Sequence, residues 1–113
     1  MFFICFVAVV FFHAESYIPV AAHLGGDVTF DINGAVNSRC QTHVGQMVVC
    51  LDGTTMKGIG PEFQNRISGT CDHIKLKYIQ KGDLSHRFIC ENLDPLKPAT
   101  YTYKIKGKDN QPV

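Results

Sequence analysis

Three histidines, His43, His73 and His86, are the first residues in this chain that could move protons. A metal-free ribonuclease needs an acid–base pair, His with His or His with Glu, and a cation for the phosphate. His73, His86 and Arg87 lie on or beside one expected hairpin, so they are placed to meet across it, with Glu62 and Glu91 as candidate acids. No spacing among them is diagnostic of catalysis, and no Gly-x-Ser-x-Gly marks a nucleophile. No catalytic residue is therefore expected. Metal chemistry has no better signal: without Cys-x-x-Cys there is neither a zinc knuckle nor a thioredoxin-type motif. Asp27, Asp31 and Asn33 share one face of a strand, but same-face side chains on a strand stand about 7 Å apart, and no EF-hand loop is present. No metal and no cofactor is expected.

The cysteines carry a different chemistry. Phe2 to Phe12 is unbroken apolar sequence, too short for a bilayer span of ~20 residues and the right length for the core of a secretory signal. Ala14-Glu15-Ser16 offers small residues where a signal peptidase reads, so cleavage is expected after Ser16, with a cut after Ala22 as the alternative. Residues 1–16 are then a signal peptide and 17–113 a single secreted domain. Cys5 leaves with the signal. Cys40, Cys50, Cys71 and Cys90 remain, an even count that reads as two disulfides in a small secreted chain.

The elements that must position these groups read almost entirely as strands. Val28, Phe30 and Ile32 alternate with Asp27, Thr29, Asp31 and Asn33, and Asn33-Gly34 ends the pattern. Residues 34–43 are polar and turn-rich. Met47-Val48-Val49-Cys50-Leu51 is continuously apolar, as in a strand covered on both sides, and Asp52-Gly53 turns it toward a short return strand. Residues 62–69 fit either a helical turn or an edge strand. From Cys71 to Cys90, Ile74, Leu76 and Tyr78 alternate with lysines, Lys81-Gly82-Asp83 supplies turn chemistry, and His86 to Cys90 returns as the antiparallel partner. Tyr101, Tyr103 and Ile105 face one way on the last strand, with Lys104 and Lys106 on the other side. Residues 17–26 read as a lead-in arm. The expected fold is all-β: a small disulfide-stapled antiparallel β-sandwich or partly open barrel of five to six strands.

Net charge is +1 with histidine neutral, and the mature region carries slightly more, too little for a general polyanion binder. The lysines after Lys75 fall on polar strand faces, so no nucleic-acid partner is expected, nor a membrane partner once the signal is removed. A monomer that binds a protein partner is the reading these features favour. Tyr101, Tyr103, Lys104 and Lys106 are the candidate partner-binding surface, on a strand whose edge would pair with the partner.

Two family resemblances bear on function. Met47 to Gly53 resembles the first cysteine-bearing strand and turn of the MAX effectors secreted by plant-pathogenic fungi, and Arg87 to Cys90 resembles their later one. That resemblance implies a two-sheet sandwich, a Cys50–Cys90 bridge between the sheets, and host proteins bound at strand edges or sheet faces. Burial points to the same bridge, since Cys50 lies in the most continuously apolar run and Cys90 ends the apolar half of the expected hairpin, which leaves Cys40–Cys71. The rival map is Cys40–Cys50 with Cys71–Cys90. The stretch from Cys90 to Tyr103 is similar to the Cys-Pro-Leu…Tyr-x-Tyr segment of ML lipid-recognition domains, which implies a ligand cavity as the alternative. The favoured function is a secreted, effector-like protein-binding module acting on host proteins, with a lipid or small-ligand carrier and a small ribonuclease as alternatives.

Overall fold

The computed structural model describes residues 16–108. The expected signal segment, residues 1–15, and the end of the tail, residues 109–113, lie outside the described residues. The described residues form nine strands: β1 (Ile18–Ala22), β2 (Val28–Asp31), β3 (Ser38–Thr42), β4 (Gly45–Leu51), β5 (Thr55–Gly58), β6 (Ile67–Thr70), β7 (His73–Leu76), β8 (Arg87–Asn92) and β9 (Ala99–Gly107). They make a six-stranded sheet in the order β1-β9-β8-β3-β4-β5 and a three-stranded sheet in the order β2-β7-β6. The all-β sandwich expected from the sequence is what is found, with more strands than the pattern showed. Among the described residues no helix is long and apolar enough to cross a membrane.

The core fills the space between the two sheets with the alternating apolar residues of both. Phe30 on β2 stacks on Phe88 of β8 with ring centroids 5.0 Å apart, and Phe30 also meets Tyr103 of β9. Ile32, Met47, Val48, Ile74 and Leu76 complete a layer without solvent exposure. Beyond burial, an aromatic pair of this kind contributes about 1 kcal/mol. The Tyr103 hydroxyl donates to the Asp31 carbonyl and ties β9 to the opposite sheet.

Several expectations need correction. Cys71 to Cys90 is not a hairpin. β7 belongs to the small sheet and β8 to the large one, and the connection between them crosses the end of the sandwich through a 3₁₀ turn, Lys81–Ser85. The buried Asp83 explains that path. Both of its carboxylate oxygens accept from the Arg66 guanidinium, at 2.8 and 3.1 Å, and one also accepts the Gln80 amide. A residue that reads as a polar hairpin turn is thus the buried anchor of an inter-sheet crossing. Tyr78 leaves the strand in left-handed backbone (φ 54) and is exposed, so the alternation of Ile74 and Leu76 stops short of it.

The disulfide map differs from both expected ones. Cys40 pairs with Cys90, and Cys50 with Cys71. The segment read as turn-rich contains β3, which sits between β4 and β8 and places Cys40 directly opposite Cys90, with Cα atoms 4.0 Å apart. Cys71, at the β6–β7 turn, then faces Cys50 across the core at a Cα separation of 5.3 Å. The Cys50–Cys90 bridge implied by the effector resemblance is therefore not made. The lead-in arm is also a strand: β1 runs parallel to β9 from Ile18↔Tyr103 to Ala22↔Gly107.

Candidate binding face

The outer face of the six-stranded sheet is defined by register and alternation. On β8, Phe88, Cys90 and Asn92 point inward, leaving Arg87, Ile89 and Glu91 outward. Their partners on β9 are Lys104, Thr102 and Thr100, and Lys106 follows on the same side. On β3, Arg39 stands opposite Glu91 and Gln41 opposite Ile89. The Arg39 Nε donates to Glu91 Oε1 at 2.8 Å, a half-exposed ion pair at the middle of the face.

Strand β4 adds an apolar component. The register between β3 and β4 shifts after Cys40, so that Met47 has no partner and is buried next to Val48. This bulge absorbs one residue of the apolar run and returns Val49 and Leu51 to the outside. The strand is covered on one face only, contrary to the expectation from its composition. Val49 faces Lys57 of β5, and Leu51 is 46% exposed. The face thus presents Val49, Leu51 and Ile89 among Arg39, Lys57, Arg87, Lys104 and Lys106, with Glu91 as its acid. The chain as a whole carries only +1. Five of its eleven lysines and arginines stand on this one face, against the single acid Glu91.

The four partner-binding candidates separate. Lys104 and Lys106 are on the outer face. Tyr103 is in the core and Tyr101 is half-buried beside it on the inner side, their rings 6.3 Å apart. Nor is β9 an edge strand, because β1 covers it. Burial pushes the Tyr103 phenol above its usual range, with the nearby Asp31 charge adding to the effect. Sequence reasoning missed the outward residues of β3, β4 and β8. The signal available was Val49 and Leu51, apolar residues at alternate positions in a run longer than one buried face requires.

His73 and His86 do not meet across a hairpin as expected, because β7 and β8 belong to different sheets. His73 begins β7 on the small sheet, with Nδ1 3.2 Å from Asp72 and Nε2 3.7 Å from Asp31. The Thr70 hydroxyl and His73 hold the Asp72 carboxyl below the usual carboxylate range. His86 precedes β8 and is buried against Phe63, Phe88 and the exposed His43, whose ring centroid is 5.0 Å away. Its Nε2 lies 3.0 Å from Glu62 Oε2, while its buried Nδ1 has no hydrogen-bond partner.

No family model and no curated protein matches the chain. Solved structures do match in fold. CD84, solved in work on SLAM family function, superimposes with a TM-score of 0.65 at 12% identity, over 81% of this chain and 97% of that one. The CD2-binding domain of CD58 matches with a TM-score of 0.62 at 13% identity over 79% of this chain, which spans about half (52%) of that chain. Tim-1 matches with a TM-score of 0.64 at 12% identity, over 88% of this chain and 98% of that one. Nine strands divided between a six-stranded and a three-stranded sheet, with the same chain arranged as β1-β9-β8-β3-β4-β5 over β2-β7-β6, is the arrangement of a variable-type immunoglobulin sandwich. The chain has an immunoglobulin-like β-sandwich fold.

Proposed function

We propose that this protein is an extracellular, non-catalytic recognition module that binds a protein partner through the outer face of its six-stranded sheet. The observation that carries the reading is the composition of that face: the exposed Leu51 and the half-buried Val49 and Ile89 stand among Arg39, Lys57, Arg87, Lys104 and Lys106. Apolar side chains interspersed with polar and charged ones are what a protein interface presents, and the local excess of cations selects an acidic partner surface. Two disulfides suit an oxidising, extracellular setting. CD58, whose matched domain is CD2-binding, supports the use of this fold for protein recognition. In the finer form of this reading the partner is a host protein and the chain an effector. What supports that form is the resemblance of residues 47–53 and 87–90 to a family that uses exposed sheet faces.

The test is a binding screen of the secreted protein against extracellular proteins, run in parallel with Lys104→Glu/Lys106→Glu and Val49→Asp variants. A partner bound by the wild type should lose roughly tenfold in affinity with the double charge reversal, mostly through the association rate. Thermal stability of that variant should be unchanged. A partner whose binding survives all three substitutions would overturn the assignment of this face.

A further inference from the structure

We infer that Asn33 is a site of spontaneous deamidation in the folded protein, while the comparable Asp52-Gly53 pair is held unreactive by the fold. Asn33 is the chain's one asparagine followed by glycine, and Asp52 its one aspartate followed by glycine. Glycine lacks the Cβ that would shield its amide and restrict the backbone. The reaction needs only water. The Gly34 amide nitrogen gives up its proton and attacks Cγ of the Asn33 side chain. The N–Cγ bond forms, the Cγ–Nδ2 bond breaks, and ammonia leaves with that proton. Water then opens the resulting succinimide at either carbonyl. Opening at Cγ gives aspartate, opening at the Asn33 main-chain carbonyl gives isoaspartate, and nothing is oxidised or reduced.

Asn33-Gly34 is open to this attack. Both residues are exposed, and they form the centre of a turn that the Ala35 amide closes on the Ile32 carbonyl at 2.9 Å. That turn does not engage the Gly34 amide. Among the described residues neither this amide nor the Asn33 carboxamide has a hydrogen-bond partner. Gly34 stands in left-handed backbone (φ 70), and nothing lies within 4 Å of the place a Cβ would take there, so the nitrogen and the side chain have room to meet.

Asp52-Gly53 is closed to it. The Gly53 amide, the nitrogen that would attack, donates to the Val36 carbonyl at 2.8 Å, and the Asp52 amide donates to Asn37 Oδ1 at 3.0 Å. The Gly53 carbonyl in turn accepts the Cys71 amide at 2.9 Å. Isomerisation at Asp52 must therefore wait for the β4–β5 turn to part from the β2–β3 loop, a local opening that costs free energy. Deamidation at Asn33 has a consequence for charge. Asn33 and Gly34 line, with Asp94 and Lys97, a surface cleft of about 460 Å³ between the β2–β3 and β8–β9 loops. A carboxylate at position 33 turns this cleft, balanced between one acid and one base, net negative. The outer face of the six-stranded sheet is left as it was.

Protein secreted from the full chain is incubated in mildly alkaline buffer made with heavy-oxygen water. One portion stays folded, and the other is unfolded in guanidinium with its disulfides reduced and alkylated. Peptide mass spectrometry then follows heavy-oxygen uptake and isoaspartate at positions 33 and 52. In the folded portion Asn33 should convert and Asp52 should lag behind it. Unfolding should speed Asp52 about tenfold or more, and Asn33 by less, because only Asp52 waits for a local opening. An Asn33 left intact in the folded protein, a gain at Asn33 equal to that at Asp52 or larger, or a gain at Asp52 below about tenfold overturns the proposal.

Discussion

Replacing Asp83 with asparagine should strongly destabilise this protein, although the two side chains have nearly the same shape. Asp83 is 1% exposed and Arg66 6%, and the pair is joined by two hydrogen bonds. Arg66 also donates to the carbonyls of Glu62, Lys77 and Tyr78, so it cannot swing out to water without releasing the β5–β6 loop and the end of β7. Asparagine presents an NH₂ group to a guanidinium that needs an acceptor and leaves a buried charge uncompensated. Breaking a buried pair in this way costs about 3–5 kcal/mol. That is a large share of the 5–15 kcal/mol typical of a whole domain. With roughly 4–8 °C lost per kcal/mol in a domain of this size, the midpoint should fall by at least about 12 °C. Arg66→Lys keeps the charge pair and loses the two-pronged geometry, so it should cost less than Asp83→Asn. Urea unfolding with the disulfides intact, followed by circular dichroism, measures both. A cost below about 1 kcal/mol for Asp83→Asn, or a larger cost for Arg66→Lys, would show that the pair does not fasten the crossing between the sheets.

Two further outcomes follow from the core. Non-reducing peptide mapping should recover Cys40 with Cys90 and Cys50 with Cys71, and removing the first bridge should cost about 4 kcal/mol against about 3 for the second, because their sequence separations are 50 and 21; equal costs would count against the chain-entropy account. Tyr103→Phe should cost about 1 kcal/mol by deleting the hydroxyl bond to Asp31. Because the folded phenol titrates above its unfolded value near 10, the folded state holds its proton longer, so its contribution is complete below that pH and is lost as pH rises through the folded pKa. Stability curves of wild type and Tyr103→Phe should accordingly converge above pH 10 (about the free phenol value), and parallel curves would refute the linkage.

The parts of this fold that were legible in the sequence are those where one residue pattern meets one face. Val28, Phe30 and Ile32, and likewise Tyr103 and Ile105, are buried as their alternation requires. Asp52-Gly53 makes the β4–β5 turn, with Asp52 at φ 56 and Gly53 at φ 85, both in the region that such a turn demands. What was illegible depends on tertiary partners. β3, Ser-Arg-Cys-Gln-Thr, has little intrinsic strand character, and it is held by pairing on both sides with β4 and β8. β1 contains Pro19 and still forms, because it is an edge strand paired only with β9. Missing β3 carried the disulfide error with it, since without that strand nothing puts Cys40 beside Cys90. The apolar part of the binding face was hidden for a related reason: it gathers residues from strands far apart in the chain.

The two disulfides do different work, and the difference bears on recognition. Cys50–Cys71 joins the sheets, the task that cross-linking a sandwich most obviously serves. The Phe30–Phe88 stack already fills the centre between them, so a second link there would add little order. Cys40–Cys90 instead joins two neighbouring strands within the six-stranded sheet. One residue away on each strand, on the opposite face, Arg39 pairs with Glu91, and Gln41 stands beside Ile89. The bridge therefore fixes the spacing of β3 and β8 directly beneath the middle of the proposed binding face. Association pays for ordering whatever is mobile in the free protein, so a face held rigid before contact loses less on binding. Replacing Cys40 and Cys90 together by alanine and valine should then reduce partner affinity even under conditions where the domain stays fully folded, with the loss appearing in faster dissociation. Unchanged affinity in that folded variant would mean that the bridge serves stability alone.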